Sequence, residues 1–237
     1  MRAAITFVGI LIWYPLQAVL ITRLLHGAWR RFPLIFLFVI AELLVAVAEF
    51  PSVWAYYHGL PEAVSWRVSL YQRAEIFTQF LIFAVVLSLI FRATSSLQSR
   101  VLIQSGFLFG AALFVGISFL AHYDPRTNTG MWMTPWTRDL NVCATVLDLA
   151  LWVLLMARRE KDGRLLLLSG ALGIQFTGQA MGNSLRTLAA GHHIRWLSLT
   201  GAIMVLAAGL IRIYIWGRAF RTAPDPRQPR VAAPAGI

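Results

Sequence analysis

The chain has 237 residues, of which 58% are hydrophobic and 13% are charged. Soluble domains are typically about 45–50% apolar and about 25% charged, so this composition indicates a protein whose solvent is largely lipid. The net charge of +11 does not indicate nucleic-acid binding, because every basic segment adjoins an apolar one. Membrane topology and contact with anionic lipid explain it better. The single cysteine, Cys143, excludes an intrachain disulfide.

Seven apolar runs are each long enough to cross about 30 Å of hydrocarbon as a helix. Backbone groups in lipid must be hydrogen-bonded within their own segment, so the runs predict helices rather than strands. The first run is longer than the apolar part of a signal peptide, and we interpret it as a retained helix. The sequence therefore predicts an all-α, polytopic seven-helix transmembrane bundle that forms one domain, 1–221. Its predicted helices span 3–22, 33–51, 69–91, 101–122, 139–157, 165–187 and 195–217.

Arginine and lysine are distributed unevenly between the two sides of this bundle. The odd-numbered loops and the C-terminal end, where we place Arg212, carry 14 basic residues, and the other side carries seven. The positive-inside rule therefore predicts an N-terminus outside and a C-terminus in the cytoplasm. The proline-rich tail, 222–237, has little that could be buried, and it is predicted to be disordered.

The lengths of the loops predict which helices are neighbours. Loops one, three and five are short, so helices one and two, three and four, and five and six should form hairpins. Loops two and four are near 17 residues each and lie on the outside. Larger outer loops leave room for an outer cap or vestibule.

Polar residues inside the bilayer are costly and are functional candidates by default. Four predicted helices carry them at spacings of three, four or seven, which place each set on one helix face. The candidate ligand-binding residues are Glu42 and Glu49 in helix two, Tyr71, Glu75 and Gln79 in helix three, Asn141 and Asp148 in helix five, and Gln175, Gln179, Asn183 and Arg186 in helix six. Helices one, four and seven have no comparable stripe.

The depth of these residues predicts the shape of a site. Glu42, Asp148 and Gln175 fall near the middle of their spans, most others fall in the outer half, and the inner half is nearly free of polar residues. If the four faces converge, they form a polar pocket that opens outward and closes near the midplane. The leading hypothesis is therefore a protein that binds or senses a small polar or cationic ligand.

A signal from such a site would have to pass to a partner protein, because the chain is too short for seven helices and a soluble output domain. The predicted contact is the inner loop with Arg158, Arg159, Lys161 and Arg164, which could equally hold anionic lipid.

Three alternatives stay open. In an accessory subunit, the polar residues hold helices together, with Glu49 paired to Arg73 and Glu75 to Arg186. In a proton-coupled transporter, Glu42 and Asp148 carry protons: no basic residue of a neighbouring segment lies at their depth, and burial favours the neutral acid. This alternative requires a path to the inside, which the apolar inner half disfavours.

The third alternative is a metal-dependent enzyme at the outer face. Four of the five histidines fall on that side, although no pair of them has a diagnostic metal-ligand spacing. The candidate ligands are His58, His122, His192 and His193. No other cofactor and no catalytic residue is predicted. The glycine pairs Gly106/Gly110 and Gly178/Gly182 have the G-x-x-x-G spacing, which predicts close helix packing.

Three segments resemble a group of seven-helix membrane proteins from Acidobacteria and related soil bacteria, to which no activity is assigned. They are Leu25–Phe36, with its RRFPLIF entry to helix two, Tyr71–Phe91 and Gly173–Arg186. The resemblance implies the seven-helix topology and a bacterial inner membrane, and it transfers no functional residue. The chain departs from the pattern at Arg73 and Glu75, where apolar or aromatic residues are expected.

Overall fold

The computed structural model describes residues 2–57, 62–95, 97–125, 129–157, 163–192 and 194–221. Within these ranges the chain forms seven α-helices, one 3-10 turn over Ala28–Arg30, and no strand. The helices are α1 (Arg2–Leu25), α2 (Pro33–Tyr57), α3 (Glu62–Thr94), α4 (Arg100–His122), α5 (Thr129–Ala157), α6 (Gly163–His192) and α7 (Arg195–Ala219). The predicted all-α class is therefore confirmed for the described part of the chain, and the predicted tail lies outside it.

Six of these helices are long and apolar enough to cross a membrane. The spans are Pro33–Pro51, Ala74–Thr94, Arg100–His122, Pro135–Ala157, Gly163–Arg186 and Trp196–Ala219. The shorter apolar stretch Leu11–Leu25 belongs to α1. The chain is therefore a multi-pass helical membrane protein, and a seventh span through α1 stays a prediction.

Two helices begin much earlier than predicted. α3 begins at Glu62 and α5 at Thr129, inside the segments predicted as outer loops two and four. The predicted outer loops of near 17 residues are therefore wrong. Hydropathy marks only the part of a helix inside hydrocarbon, whereas a helix can continue into the interface, where aromatic and charged residues are tolerated. α3, with 33 residues, is about 50 Å long and exceeds the hydrocarbon thickness.

The predicted hairpins are present, because α1 contacts α2, α3 contacts α4, and α5 contacts α6. α1 also packs on α7, α3 packs on α2 and α5, and α6 and α7 form the most extensive pair. Among the described residues, α4 packs only against α3 and α5, at the periphery. We call the end of the bundle with the α1–α2, α3–α4 and α5–α6 connections the basic end, and the other the opposite end.

Most buried apolar side chains lie toward the basic end. They include Leu20, Leu24, Ile35, Phe38, Leu89, Ile90, Leu151, Leu155, Leu168 and Trp216, each at most 1% exposed. Lipid tails are as apolar as these side chains, so close van der Waals packing stabilises the contacts.

Basic residues also contact neighbouring helices and loops at the basic end. Arg23 donates from Nη1 to the carbonyl oxygen of Gly217 at 2.7 Å and joins α1 to α7. Arg92 donates to the carbonyl oxygen of Arg31, and its guanidinium lies 4.2 Å from the ring centroid of Phe32. These arginines hold neighbouring helices together.

The G-x-x-x-G prediction is confirmed in α6. A Cβ added at Gly182 would lie 2.6 Å from the carbonyl oxygen of Gly201 and 2.6 Å from Cγ2 of Val205. A Cβ at Gly178 would collide with Ala208. Only glycine therefore lets α6 and α7 approach this closely. In α4, by contrast, a Cβ at Gly106 or Gly110 would meet nothing within 4 Å, so the same prediction is wrong there.

We expect Gly182→Leu to destabilise the bundle by about 1–3 kcal/mol or more, because the added side chain forces α6 away from α7. The apparent Tm of the detergent-purified protein measures this effect. The control is Gly116→Leu in α4, where a Cβ meets nothing within 4 Å, and it should leave the Tm unchanged. Equal losses in both variants would contradict the assigned packing.

Candidate functional site

Most of the buried polar side chains fall into four groups. The first joins α1, α2 and α7, the second joins α5 and α6 at Asp148, the third joins α3, α5 and α6, and the fourth joins α4 and α5 at Asp139. The four predicted polar faces therefore do not converge on one pocket in the described part of the chain.

The α1–α2–α7 cluster consists of Gln17, Glu42 and Arg212. Arg212 is 0% exposed, and its Nη2 lies 2.5 Å from Oε2 of Glu42. The same carboxylate oxygen accepts a hydrogen bond of 3.2 Å from Nε2 of Gln17. The guanidinium lies 4.8 Å from the ring centroid of Phe38 and 4.9 Å from that of Trp216. Arg212 is thus neutralised by Glu42 and flanked by two aromatic rings.

The sequence analysis found no basic residue at the depth of Glu42 in a neighbouring segment, and the structure supplies one from α7, which is distant in sequence. Arg212 lies about 10 Å from the end of α7, and Glu42 about 13 Å from the start of α2, so both lie at similar depth. The error came from assigning Arg212 to the C-terminal end. A signal was present, since Arg212 has apolar neighbours Ile211 and Ile213 and an aromatic residue one turn on, at Trp216.

The cluster retains hydrogen-bonding capacity. Nε and Nη1 of Arg212 and Oε1 of Gln17 are buried and have no partner among the described residues. Nearby, Trp216 donates from Nε1 to the carbonyl oxygen of Leu168 at 3.1 Å, which extends the contacts to α6. These two donor atoms and one acceptor atom are the remaining unpaired polar atoms of the cluster within the described part of the chain.

Glu49 lies near the same helices, toward the opposite end. Tyr14 donates from its hydroxyl to the carbonyl oxygen of Ala46 at 2.9 Å, and it interacts electrostatically with Glu49. The acceptor lies near Pro51, which sits inside α2 and removes a backbone donor from that helix. The side chain of Arg73, the predicted partner of Glu49, lies outside the described residues.

Asp148 is enclosed between α5 and α6. It is 3% exposed, and Ser169 donates to its Oδ1 at 2.7 Å. A Cβ at Gly173 would lie 3.3 Å from Oδ2, so the glycine leaves room for the carboxylate. Thr145, one turn earlier in α5, is exposed. Asp148 therefore faces α6 and lies apart from Glu42.

The α3–α5–α6 cluster brings together several of the predicted residues. Gln79 donates from Nε2 to Oδ1 of Asn141 at 2.5 Å. One turn away, Glu75 interacts electrostatically with Arg186, as the pairing hypothesis expected. Gln175, Gln179 and Asn183 share α6 with Arg186. The side chain of Tyr71 lies outside the described residues.

Exposure changes along this cluster. Glu75, Asn183 and Arg186 are exposed, and Gln179 is half-buried. Gln79 and Gln175, which lie deeper, are 8% and 5% exposed. Oε1 of Gln175 is buried and has no partner among the described residues. The cluster thus runs from an accessible rim near the opposite end to a buried acceptor near mid-bundle.

The α4–α5 cluster lies at the opposite end. Oδ2 of Asp139 accepts from Ser118 at 2.8 Å and lies 2.9 Å from Nε2 of His122. The sequence analysis treated His122 as a candidate metal ligand. In the structure His122 and Asp139 pair with each other beside packed aromatic rings. Those rings are Phe119, Tyr123, Trp132 and Trp136, with neighbouring centroids 5.0–6.0 Å apart.

The remaining predicted metal ligands cannot be placed against this pair. His58 and His193 lie outside the described residues, and His192 ends α6 with its side chain outside them. Among the described side chains, no group of three or more His, Cys, Asp or Glu residues could hold a metal ion.

No protein-family model, no curated protein and no solved structure matches the chain. The helices define a multi-pass helical membrane protein.

We expect Arg212→Met to destabilise the protein by about 3–5 kcal/mol, because it leaves the carboxylate of Glu42 buried without a counter-charge. The double variant Glu42→Leu/Arg212→Met removes both charges and should recover much of that loss. A double-mutant cycle on the free energy of unfolding in detergent, with Glu42→Leu as the other single variant, measures the coupling. Strict additivity of the two single changes would show that the pair is not coupled.

Proposed function

We propose that this chain is a bacterial inner-membrane protein that binds a small polar or cationic ligand at the α3–α5–α6 cluster. The observation that carries the proposal is a polar face of α6 that runs from exposed Arg186, which interacts with Glu75, to the buried Oε1 of Gln175, an acceptor without a partner among the described residues. A buried acceptor without a donor is costly, and a ligand that donates hydrogen bonds would satisfy it.

The helices give this cluster its depth. Gln175 precedes Arg186 by three helical turns, which separates them by about 16 Å along α6. Gln175, Gln179 and Arg186 share one helix face, since their spacings are four and seven residues. Gln79 lies one turn deeper than Glu75 in α3 and contacts Asn141 in α5. Three helices therefore contribute to the proposed site.

The chemistry of the cluster favours a ligand with N–H or O–H donors. Glu75 offers a carboxylate at the rim, and Gln175 offers an amide oxygen at depth. Arg186 beside Glu75 supplies a complementary charge, so a bound ammonium compound with an anionic or neutral polar group would satisfy both rim residues. Gln79 and Asn141 orient each other and leave amide atoms for the ligand.

Glu42, Glu49 and Asp148 do not belong to this reduced site. Glu42 is paired with Arg212, Glu49 lies near Tyr14, and Asp148 accepts from Ser169. The transporter alternative uses Glu42 and Asp148 as successive proton carriers, and their separate enclosures give it less support. A ligand signal would still require a partner at the inner loops, whose central residues, 158–162, lie outside the described part of the chain.

An accessory structural subunit is the second candidate. The enclosed Glu42–Arg212 and Asp148–Ser169 contacts favour it, because each joins different helices and neither faces a described cavity. In that case the α3–α5–α6 cluster also serves to hold helices together. The outer-face metal enzyme depends on His122, which pairs with Asp139, and on three histidines whose side chains lie outside the described residues, so the structure adds no support for it.

A thermal-shift screen tests ligand binding. The probes are alkylammonium and polyamine salts, amino acids and simple sugars, added to the detergent-purified protein. We expect one class to raise the Tm by about 5 °C or more at a hundredfold excess over Kd. Glu75→Gln should abolish this shift, because it removes the carboxylate at the rim.

The matched control is Asp139→Asn, which removes a carboxylate at the same end of the bundle from a different cluster. The shift should survive this change. If no probe stabilises the protein, or if Glu75→Gln keeps the shift, ligand binding at this site is wrong. A lower Tm for Glu75→Gln without any probe effect would favour the accessory subunit.

The proposed orientation is tested by fusions in a bacterial host. With the C-terminus in the cytoplasm, we expect a C-terminal green fluorescent protein to fluoresce and a C-terminal alkaline phosphatase to be inactive, because positive charge is retained inside. Phosphatase fused after Pro125, at the opposite end, should be active. The reversed pattern would show that the C-terminus lies outside the cytoplasm.

A further inference from the structure

A groove between α4 and α5 lies outside all four polar clusters. Its volume is about 560 Å³, within the range of about 300–1,000 Å³ that ligand pockets occupy. It is lined by Leu102, Ile103, Gly106, Phe107, Gly110, Ala111 and Phe114 of α4 and by Cys143, Val146 and Leu147 of α5. No lining residue is charged, and Leu102 and Val146 are 76% and 60% exposed.

We propose that this groove binds an acyl chain of an anionic phospholipid whose head group contacts Arg100. The groove opens to the side of a membrane-spanning bundle, where lipid is the surrounding medium. It begins at Leu102, half a turn from Arg100, which is exposed at the start of α4. A basic residue beside an apolar groove complements both parts of an anionic lipid.

The shape of the groove results from two glycines. Gly106 and Gly110 lie one turn apart, and a Cβ at either would meet no atom within 4 Å. Their missing side chains leave a channel between larger neighbours such as Phe107 and Phe114. At the equally spaced Gly178 and Gly182, the space beside the helix is instead occupied by residues of α7. The α4 pair is therefore open to an occupant from outside the chain.

The length of the groove favours a lipid over a second copy of the chain. From Leu102 to Phe114 it extends about 18 Å along α4. One leaflet contributes about 15 Å to a hydrocarbon core of about 30 Å, so the groove covers one leaflet from the end that carries Arg100. A helix from a second copy would use the whole length of α4, which continues to His122.

The charge at the start of α4 completes the site. The guanidinium of Arg100 remains cationic at neutral pH and can contact phosphate. The positive end of the α4 helix dipole lies at the same place and adds to the attraction for an anion. Phosphatidylcholine presents a zwitterionic head group, so the site should prefer phosphatidylglycerol.

Native mass spectrometry of the full-length protein, released from micelles with defined phosphatidylglycerol or phosphatidylcholine, tests the proposal. We expect the wild-type protein to retain phosphatidylglycerol preferentially. The double variant Gly106→Leu/Gly110→Leu should lose this preference, because the leucines fill the groove. Arg100→Gln should weaken retention about fivefold, the effect of one basic residue at a lipid surface.

Two further variants keep the test independent of folding. Gly116→Leu, in the same helix but outside the groove, is the matched control and should retain lipid as the wild type does. Val146→Trp fills the groove from α5 and should reproduce the loss seen with the glycine variants. The Tm of each variant establishes that it is folded.

The proposal is overturned if the wild type shows no preference for phosphatidylglycerol, or if the filled variants retain it normally. It is also overturned if a second copy occupies the groove. In that case the protein runs as a dimer that Gly106→Leu/Gly110→Leu dissociates, and mild oxidation cross-links Cys143 to its counterpart. A monomeric protein without this cross-link, combined with the expected lipid retention, supports the lipid site.

Discussion

The buried ion pair between Arg212 and Glu42 constrains the arrangement of the bundle. A guanidinium with 0% exposure inside a membrane span requires a counter-charge at the same depth, since an unpaired charge there is very costly. This requirement sets the rotation of α7 and α2 and brings Gln17 of α1 against the same carboxylate. The same interaction therefore contributes to the contacts of α1 with both α2 and α7.

The pair also decides which polar residues remain for a ligand. Because Glu42 faces α7, it does not face α5 and α6. Asp148 is instead hydrogen-bonded by Ser169 of α6. At the opposite end, besides Asp139 and its partners in α4, the remaining polar residues are those at the contact of α3 with α5 and α6. The polar residues thus divide between helix contacts enclosed near mid-bundle and a separate cluster that reaches the surface at Glu75 and Arg186.

Hydropathy was sufficient for the helical class, the hairpins and most helix ends, because each depends on local composition or on short loops. It failed at the starts of α3 and α5, where the helix continues through a polar interface. It also failed for Arg212, which was assigned to the C-terminal end although Ile211, Ile213 and Trp216 place it within an apolar segment. The partner of Glu42 lies 170 residues away, and only the relative rotation of the helices reveals it. The sequence predicted a polar face with Gln79 and another with Asn141, but it did not predict that these two residues form a hydrogen bond.

The two G-x-x-x-G pairs show why spacing alone does not specify a partner. Gly178 and Gly182 lie on a helix held between α5 and α7, so the helix beside them fills the space. Gly106 and Gly110 lie on α4, which only α3 and α5 support in the described part of the chain. The same missing side chains therefore create a tight helix contact in one place and an open groove in the other. Since the surrounding solvent is lipid, the position of α4 at the periphery makes an acyl chain the natural occupant of that groove, and Arg100 at its end makes an anionic head group the better match.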